Sequence, residues 1–355
     1  MSLCRPCLCL AALIAAVLCC RAPAQTLPAP YRFRVMSYNV ENLFDCRHDS
    51  LRCDTDFLPH GAYVWTPTRY RHKLNSLSKV IAAVAQQGLP SLVALCEVEN
   101  DSVLHHLTRT SALRALDYRY LMTQSPDVRG VDVALLYQPG HFRPLWWRQV
   151  QVPSVQHGFA PTRNLLYVCG RTMRGDTVHV VVCHLPSRRG GTLRADRHRA
   201  LAVSVLAELV DSVYRVQPHA LLLAMGDMNL SAGQKLFGKK GLGAAVWKGQ
   251  GTVGDGCRLL SLPVTTCTGS VQGVQGSYRY RGLWETIDHI LLSPAWLAHP
   301  AWQVEPALQV VALPFMCRPE PTYGGVCPWR TYLGPHYAGG ISDHFPVVVT
   351  LGFSL

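Results

Sequence analysis

Apolar residues along this chain gather mostly into short runs. Eight of them read as strands: FRVMSYNV (33–40), SLVALCEV (91–98), VDVALLY (131–137), LLYVCGRT (165–172), TVHVVVCHL (177–185), ALLLAMGD (220–227), TIDHILLS (286–293) and FPVVVTL (345–351). Several are continuously apolar, the pattern of strands covered on both faces. Helical spacing is rarer. Leu74, Leu77, Ile81 and Val84 follow a 3,4,3 pattern that stops at Gly88. Residues 192–216 open with Thr192, repeat apolar positions at Leu201, Val205, Leu206, Leu209 and Val213, and stop before Pro218. A shorter helix is expected to begin near Asp101 or Ser102. Segments 45–68, 231–280 and 314–340 read as long loops, and the Pro, Gly and aromatics of the last suit a pocket rim. With no internal repeat or low-complexity linker, residues 25–355 are expected to form one domain. Many strands with a few covering helices predict an α/β (α+β) layered fold.

Residues 1–24 stand apart. Arg5, an apolar run from Leu8 to Cys20, and Ala22-Pro23-Ala24 before Gln25 have the order of a secretory signal peptide. The run is too short to span a bilayer comfortably. Cys19 and Cys20 lack a preceding small residue, so no lipid anchor is expected, and the mature chain is expected in a periplasm or outside the cell. Losing Arg5 and Arg21 lowers the formal charge from +12 to +10, a surplus that favours anionic partners. Five of the 14 cysteines lie in the leader. Of the nine that remain, Cys46/Cys53, Cys257/Cys267 and Cys317/Cys327 are spaced as loop staples for an exported protein. Cys96, Cys169 and Cys183 read as small core residues.

Polar residues collect at one position of the strand pattern. Asn39 and Asn42 end the first run, Glu97 the second, His184 the fifth, and Asp227 with Asn229 the sixth. Asp288 opens the seventh run, and Asp343–His344 open the last. If those two strands run antiparallel to the others, all six groups meet at one edge. Asn39, Glu97, Asp227, Asn229, Asp288 and Asp343 offer oxygens and no thiolates, which suits a hard cation such as Mg²⁺ or Mn²⁺, with Ca²⁺ a further alternative. A cation polarising a phosphoryl oxygen beside a carboxylate or imidazole that activates water describes phosphate-ester hydrolysis. Asp288 is placed to orient His344.

In order, SYNVENLF, CEVEN, GVDVALLY, HLPS, GDMN, TIDHILLS and SDHFP resemble the endonuclease/exonuclease/phosphatase superfamily, the DNase I-like group, over most of residues 33–351. The resemblance implies a four-layered sandwich, two mixed β-sheets packed face to face with helices on the outer faces, and divalent-metal catalysis. It assigns metal to Asn39, Glu97 and Asp343. It assigns catalysis to His184, Asp227, Asn229, Asp288 and His344. The stretches RYRHKLNSL and SPDVRGVDVALLY, with the long loops, resemble exported bacterial members of the superfamily. Glu99 stands where many nucleases carry Lys or Arg, which removes one expected phosphate contact.

Asn42, Arg129 and Arg188 lie beside the site strands as candidate phosphate or substrate contacts, while His105 and His106 read as structural. The first expectation is an exported metal-dependent nuclease acting on DNA or RNA. The alternative is a sphingomyelinase-like enzyme or another phosphoesterase acting on a phospholipid headgroup or small phosphoester. A third is a non-catalytic binding relative of the fold. No stable protein partner is implied and a monomer is expected.

Overall fold

The computed structural model describes residues 31–188, 193–238, 241–247 and 256–353, so the leader read at 1–24 lies outside it. Strand β1 (Tyr31–Leu43) runs parallel to β2 (Pro90–Val98). Beyond β2 lie β3 (Arg119–Met122) and β4 (Asp132–Tyr137), of which β4 pairs antiparallel with β2. A second sheet runs in the order β5 (Phe142–Val150), β6 (Leu165–Thr172), β7 (Thr177–His184), β8 (Leu221–Asp227) and β9 (Asp288–Leu292). In it β7 and β8 are parallel while β9 is antiparallel to β8. The last strand, β10 (Val347–Phe353), returns to the first sheet antiparallel to β1.

Side-chain parity explains how the layers meet, because alternate residues of a strand face opposite sides. Val178, Val180 and Val182 of β7, Leu223 and Met225 of β8, and Ile290 of β9 share one core with Met36, Leu95 and Leu135 of the first sheet. The other parity, Val181, Cys183, Leu222, Ala224 and Leu291, packs against Leu206, Leu209 and Val210 of helix α2 (Leu193–Val216). Helix α1 (Pro67–Gln86) adds Leu77, Val80, Ile81 and Val84 to the first core. It starts where the Thr66 side chain accepts the Arg69 N–H at 3.3 Å and Pro67 supplies the first helical residue. The result is helix, sheet, sheet, helix.

Several sequence expectations need correction. The pattern predicts no strand over 142–150, yet FRPLWWRQV forms edge strand β5. Pro144 is accommodated there because a register irregularity lies between it and Trp146. The 231–280 stretch is more than loop: Ala244–Val246 and Leu259–Ser261 extend the second sheet, and Val264–Thr266 the first. Three-residue strands are too short to show a period. The 314–340 segment carries two small hairpins, Cys317–Pro319 with Val326–Pro328 and Tyr332–Leu333 with His336–Tyr337.

The cysteine staples are also absent, and all nine described cysteines are free. Cys317 pairs with Pro328 and Cys327 with Arg318, so the alternation of strand faces turns the two thiols apart. Cys257 precedes a strand of the second sheet, whereas Cys267 follows one of the first. Cys96, Cys169 and Cys183 are buried strand residues, as expected.

One glycine holds the site strands together. Gly226 has φ +139°, and a Cβ there would lie 1.8 Å from the Cys183 carbonyl oxygen on β7. Gly226→Ala is expected to lower the melting temperature, because the backbone conformation alone costs about 1–3 kcal/mol before that collision is counted. A thermal melt equal to wild type would contradict the close strand approach.

Candidate active site

The inward parity of the second sheet continues past its apolar residues. His184 follows Val178, Val180 and Val182, Asp227 follows Leu221, Leu223 and Met225, and Asp288 lies two before Ile290. These three are also neighbours in register: His184 opposes Asp227, which opposes Asp288. The row therefore opens into the gap between the sheets. The first sheet supplies the facing wall from the ends of β1 and β2, where the register shifts between Asn39 and Leu43. The chain takes positive φ there at Glu41 and Asn42, and also at Glu97 and Asn229. Such conformations in non-glycine residues cluster at functional sites.

Asp227 is the hub. Asn39 donates its Nδ2–H to Oδ2 at 3.1 Å, and the Asn229 backbone N–H donates to Oδ1 at 2.9 Å. His184 Nε2 lies 3.5 Å and His344 Nε2 3.9 Å from the same Oδ2. The Asn229 side chain donates to the Leu185 carbonyl at 3.0 Å. Burial, with the charge of Asp288 beside it, pushes the Asp227 carboxyl up to about 7.

His344 Nδ1 meets Asp288 Oδ2 at 2.7 Å, and Ser277 Oγ donates to that same oxygen at 2.6 Å. Burial opposes the charged imidazolium, but Asp288, Asp343 and Asp227 outweigh it and raise His344 well above the ordinary histidine range. His184 goes the other way. Burial, reinforced by Arg163, holds it well below that range despite Glu97. Burial and neighbouring charge thus push the two histidines in opposite directions within one site.

Glu97 stands at the other side of Asp227. Its Oε2 accepts from Arg129 at 3.2 Å and from the Asn42 backbone N–H at 3.0 Å, while Oε1 lies 3.9 Å from His184 Nε2. Burial penalises its charge, but Arg129, the largest favourable influence, together with His344 prevails and holds the carboxyl far below the usual range. Arg129 also donates to Asn42 Oδ1 at 2.5 Å. Asp343 accepts from Arg330 at 2.5 Å through Oδ2 and keeps Oδ1 3.8 Å from His344 Nε2.

The structure thus brings Asn39, Asn42, Glu97, Arg129, His184, Asp227, Asn229, Asp288, Asp343 and His344 into one region. Arg188 forms a two-pronged ion pair with Glu285. Glu99 is turned to structure: it accepts the Asp45 backbone N–H at 2.7 Å, and burial next to Asp45 and Asp54 pushes it up to about 8. His106 bonds Tyr70 at 2.8 Å, a structural role.

Residues that sequence reasoning missed form a second charged group under the site. Lys73 of α1 is buried and donates to Thr331 Oγ1 at 2.6 Å and to the Ile341 carbonyl. Glu41 accepts the Thr331 backbone N–H at 2.7 Å, and its Oε1 lies 3.5 Å from Arg330. Burial, then repulsion by Asp343, pushes the Glu41 carboxyl up to about 7, and burial lowers Lys73 to about 8. The signal was present, because Lys73 falls on the same helical stripe as Leu77, Val80 and Val84, where a lysine is out of place. Tyr278, whose ring lies 4.8 Å from that of His344, gave no such signal.

A family model described as the Endonuclease/Exonuclease/phosphatase family matches residues 34–352. A search among curated protein sequences finds no match. An endonuclease/exonuclease/phosphatase family protein from Bacteroides thetaiotaomicron is similar in structure, with 15% identity, 92% of this chain and 99% of that one covered, and a TM-score of 0.52. The human Nocturnin catalytic domain with bound sulfate is similar at 15% identity, coverage of 91% and 94%, and a TM-score of 0.51. D. rerio TDP2 complexed with a single-strand DNA product is similar at 15% identity, coverage of 90% and 98%, and a TM-score of 0.50. These likenesses show the fold, and the family points to a phosphodiesterase- or nuclease-type hydrolase. With its ordered strand-end motifs, its two-sheet sandwich and a match across nearly its whole length, the chain belongs to the endonuclease/exonuclease/phosphatase family.

Proposed function

We propose that the chain is a divalent-metal-dependent phosphodiesterase that cleaves nucleic acid. The observation that carries the reading is Asp227, a buried carboxylate whose Oδ2 is approached by Asn39, His184 and His344 from three separate elements. The donor set fits a hard cation. Glu97 and Asp343 each keep one oxygen outside their arginine pairs, and Asn39 adds an amide oxygen. Asn39, Glu97 and Asp343 are the residues that would hold the ion. The tightest histidine–carboxylate group among the described residues is instead Asp227, Asp288 and His344, within 4.8 Å. We read that group as proton chemistry, since Asp288 already holds His344 Nδ1.

When bound, the cation supplies charge neutralisation at the phosphoryl oxygens and a more acidic water. Asp227 accepts the proton of the attacking water, and Asn39 and Asn229 keep its oxygens aimed. His344, oriented by Asp288, turns Nε2–H toward a phosphoryl oxygen. His184 hydrogen-bonds the phosphate from the far side of Asp227. Arg129, its side chain partly exposed, fixes Glu97 and lines the approach.

The basic surplus supports nucleic acid as substrate, as does the DNA product held by the TDP2 relative. The leader-like residues 1–24 support action outside the cytoplasm. A second reading, a phospholipid headgroup as substrate, is favoured by exposed Tyr323, Trp329 and Leu333 in the 314–340 segment.

Three results test this. Purified protein from Gln25 onward is expected to cut single-stranded DNA or RNA and a small phosphodiester with Mg²⁺ or Mn²⁺. EDTA is expected to abolish both activities and added metal to restore them; turnover that survives EDTA would remove the metal from the reading. Asp227→Asn and His344→Ala are each expected to lower kcat by about 10²–10⁴-fold with the melting temperature kept within a few degrees. Wild-type kcat in either variant would sink the proposed site, and hydrolysis of lipid alone would move the substrate to the second reading.

A further inference from the structure

Edge strand β5 carries a surface that the catalytic reading does not use. Three cross-strand pairs with β6 follow one another on a single face: Arg143 with Arg171, Trp146 with Cys169, and Arg148 with Tyr167. That face is the outer one, because Tyr167 packs into the α2-side core. Trp146 stands edge-on to Tyr167 at 5.0 Å, and the Arg148 guanidinium lies 5.6 Å over the same ring. Leu145, Trp146 and Met173 are 45%, 47% and 51% exposed, apolar side chains that water does not favour, while Trp147 pairs with Val168 and turns to the other face.

The charges make the face more unusual. Arg143 and Arg171 oppose each other directly, an arrangement that destabilises a strand pair by itself. Arg143, Arg148 and Arg171 are exposed, and none enters an ion pair among the described residues. The nearby Asp176 is already taken by Arg174 and the Trp302 indole N–H. A row of uncompensated arginines alternating with tryptophan is complementary to a negative surface.

Pairing with a second copy along the strand edge is disfavoured. Pro144 has no N–H to offer, and the register irregularity beside it breaks the ladder. Tryptophan rings favour the polar boundary of a bilayer. Arginines near that boundary are drawn to anionic headgroups. Leu145 and Met173 add apolar side chains of the kind that reach the acyl region.

We propose that the outer face of β5 and β6 seats the protein on an anionic lipid bilayer. The proposal is independent of the phosphodiesterase reading and leaves the catalytic gap, two strands away at β7, free to act on a separate substrate.

Vesicle flotation tests it. The wild-type protein is expected to float with vesicles of phosphatidylcholine mixed with phosphatidylglycerol, to bind them less as salt rises, and to ignore phosphatidylcholine alone. Arg143→Gln/Arg171→Gln is expected to weaken partitioning by about five-fold per arginine removed, and Trp146→Ser to weaken it at every salt concentration. Both variants should melt at the wild-type temperature and hydrolyse a small soluble phosphodiester at the wild-type rate. Failure of the folded wild type to bind the anionic vesicles would overturn the proposal, as would equal binding by both variants. Loss of single-stranded oligonucleotide binding in these variants, with no vesicle binding by the wild type, would reassign the face to nucleic acid and overturn it as well.

Discussion

A strand turns alternate side chains to opposite faces, and the site depends on that constraint. On β7, β8 and β9 the parity that buries valine, leucine, methionine and isoleucine between the sheets continues at the strand ends into His184, Asp227 and Asp288. A slip of one residue would turn each of these groups from the gap between the sheets to the opposite face. Gly226 allows β8 to lie against β7 at the point where the register must hold. The core thus aligns the polar row as well as stabilising the sandwich.

The second constraint is charge. A carboxylate taken out of water has to be paired or neutralised, and the site contains both outcomes. Glu97 pairs with Arg129, which holds its carboxyl low, and faces the gap with its second oxygen. Asp227 and Glu41 are instead driven up toward neutrality by burial and by neighbouring carboxylates. Lys73 and Arg330 tie the 329–343 segment to α1 and β1, so the chain that delivers Asp343 and His344 is braced from beneath. Ser342 adds a 2.7 Å hydrogen bond to the Asn39 carbonyl, which locks that segment to the end of β1.

Edges differ from this centre. The short strands that finish both sheets come from a stretch with no visible period, and β5 comes from a run that mixes proline, arginine and tryptophan. The exposed ones among them, Val264–Thr266 and most of β5, place few demands on side-chain chemistry. Side chains unsuited to a core can therefore occupy β5 without harm to it, which is how Trp146 and Arg143 come to share a strand with the buried Phe142.

By itself the sequence determined eight of the ten strands β1 to β10, the two long helices and the placement of polar residues at strand ends. Burial on both faces requires continuous apolar runs, and such runs are visible in one dimension. The ordered motifs from SYNVENLF to SDHFP carried the family in the same way. Only the tertiary structure decided that Asp227 is the meeting point of Asn39, His184 and His344, that Arg330 pairs with Asp343, and that Lys73 lies beneath them. Each of these contacts joins residues far apart in the chain, and no local period encodes such a distance. The unpaired cysteines belong with them: close spacing in sequence suggested bridges, but the Cys317 and Cys327 thiols leave a hairpin from opposite faces, and Cys257 and Cys267 flank strands of different sheets.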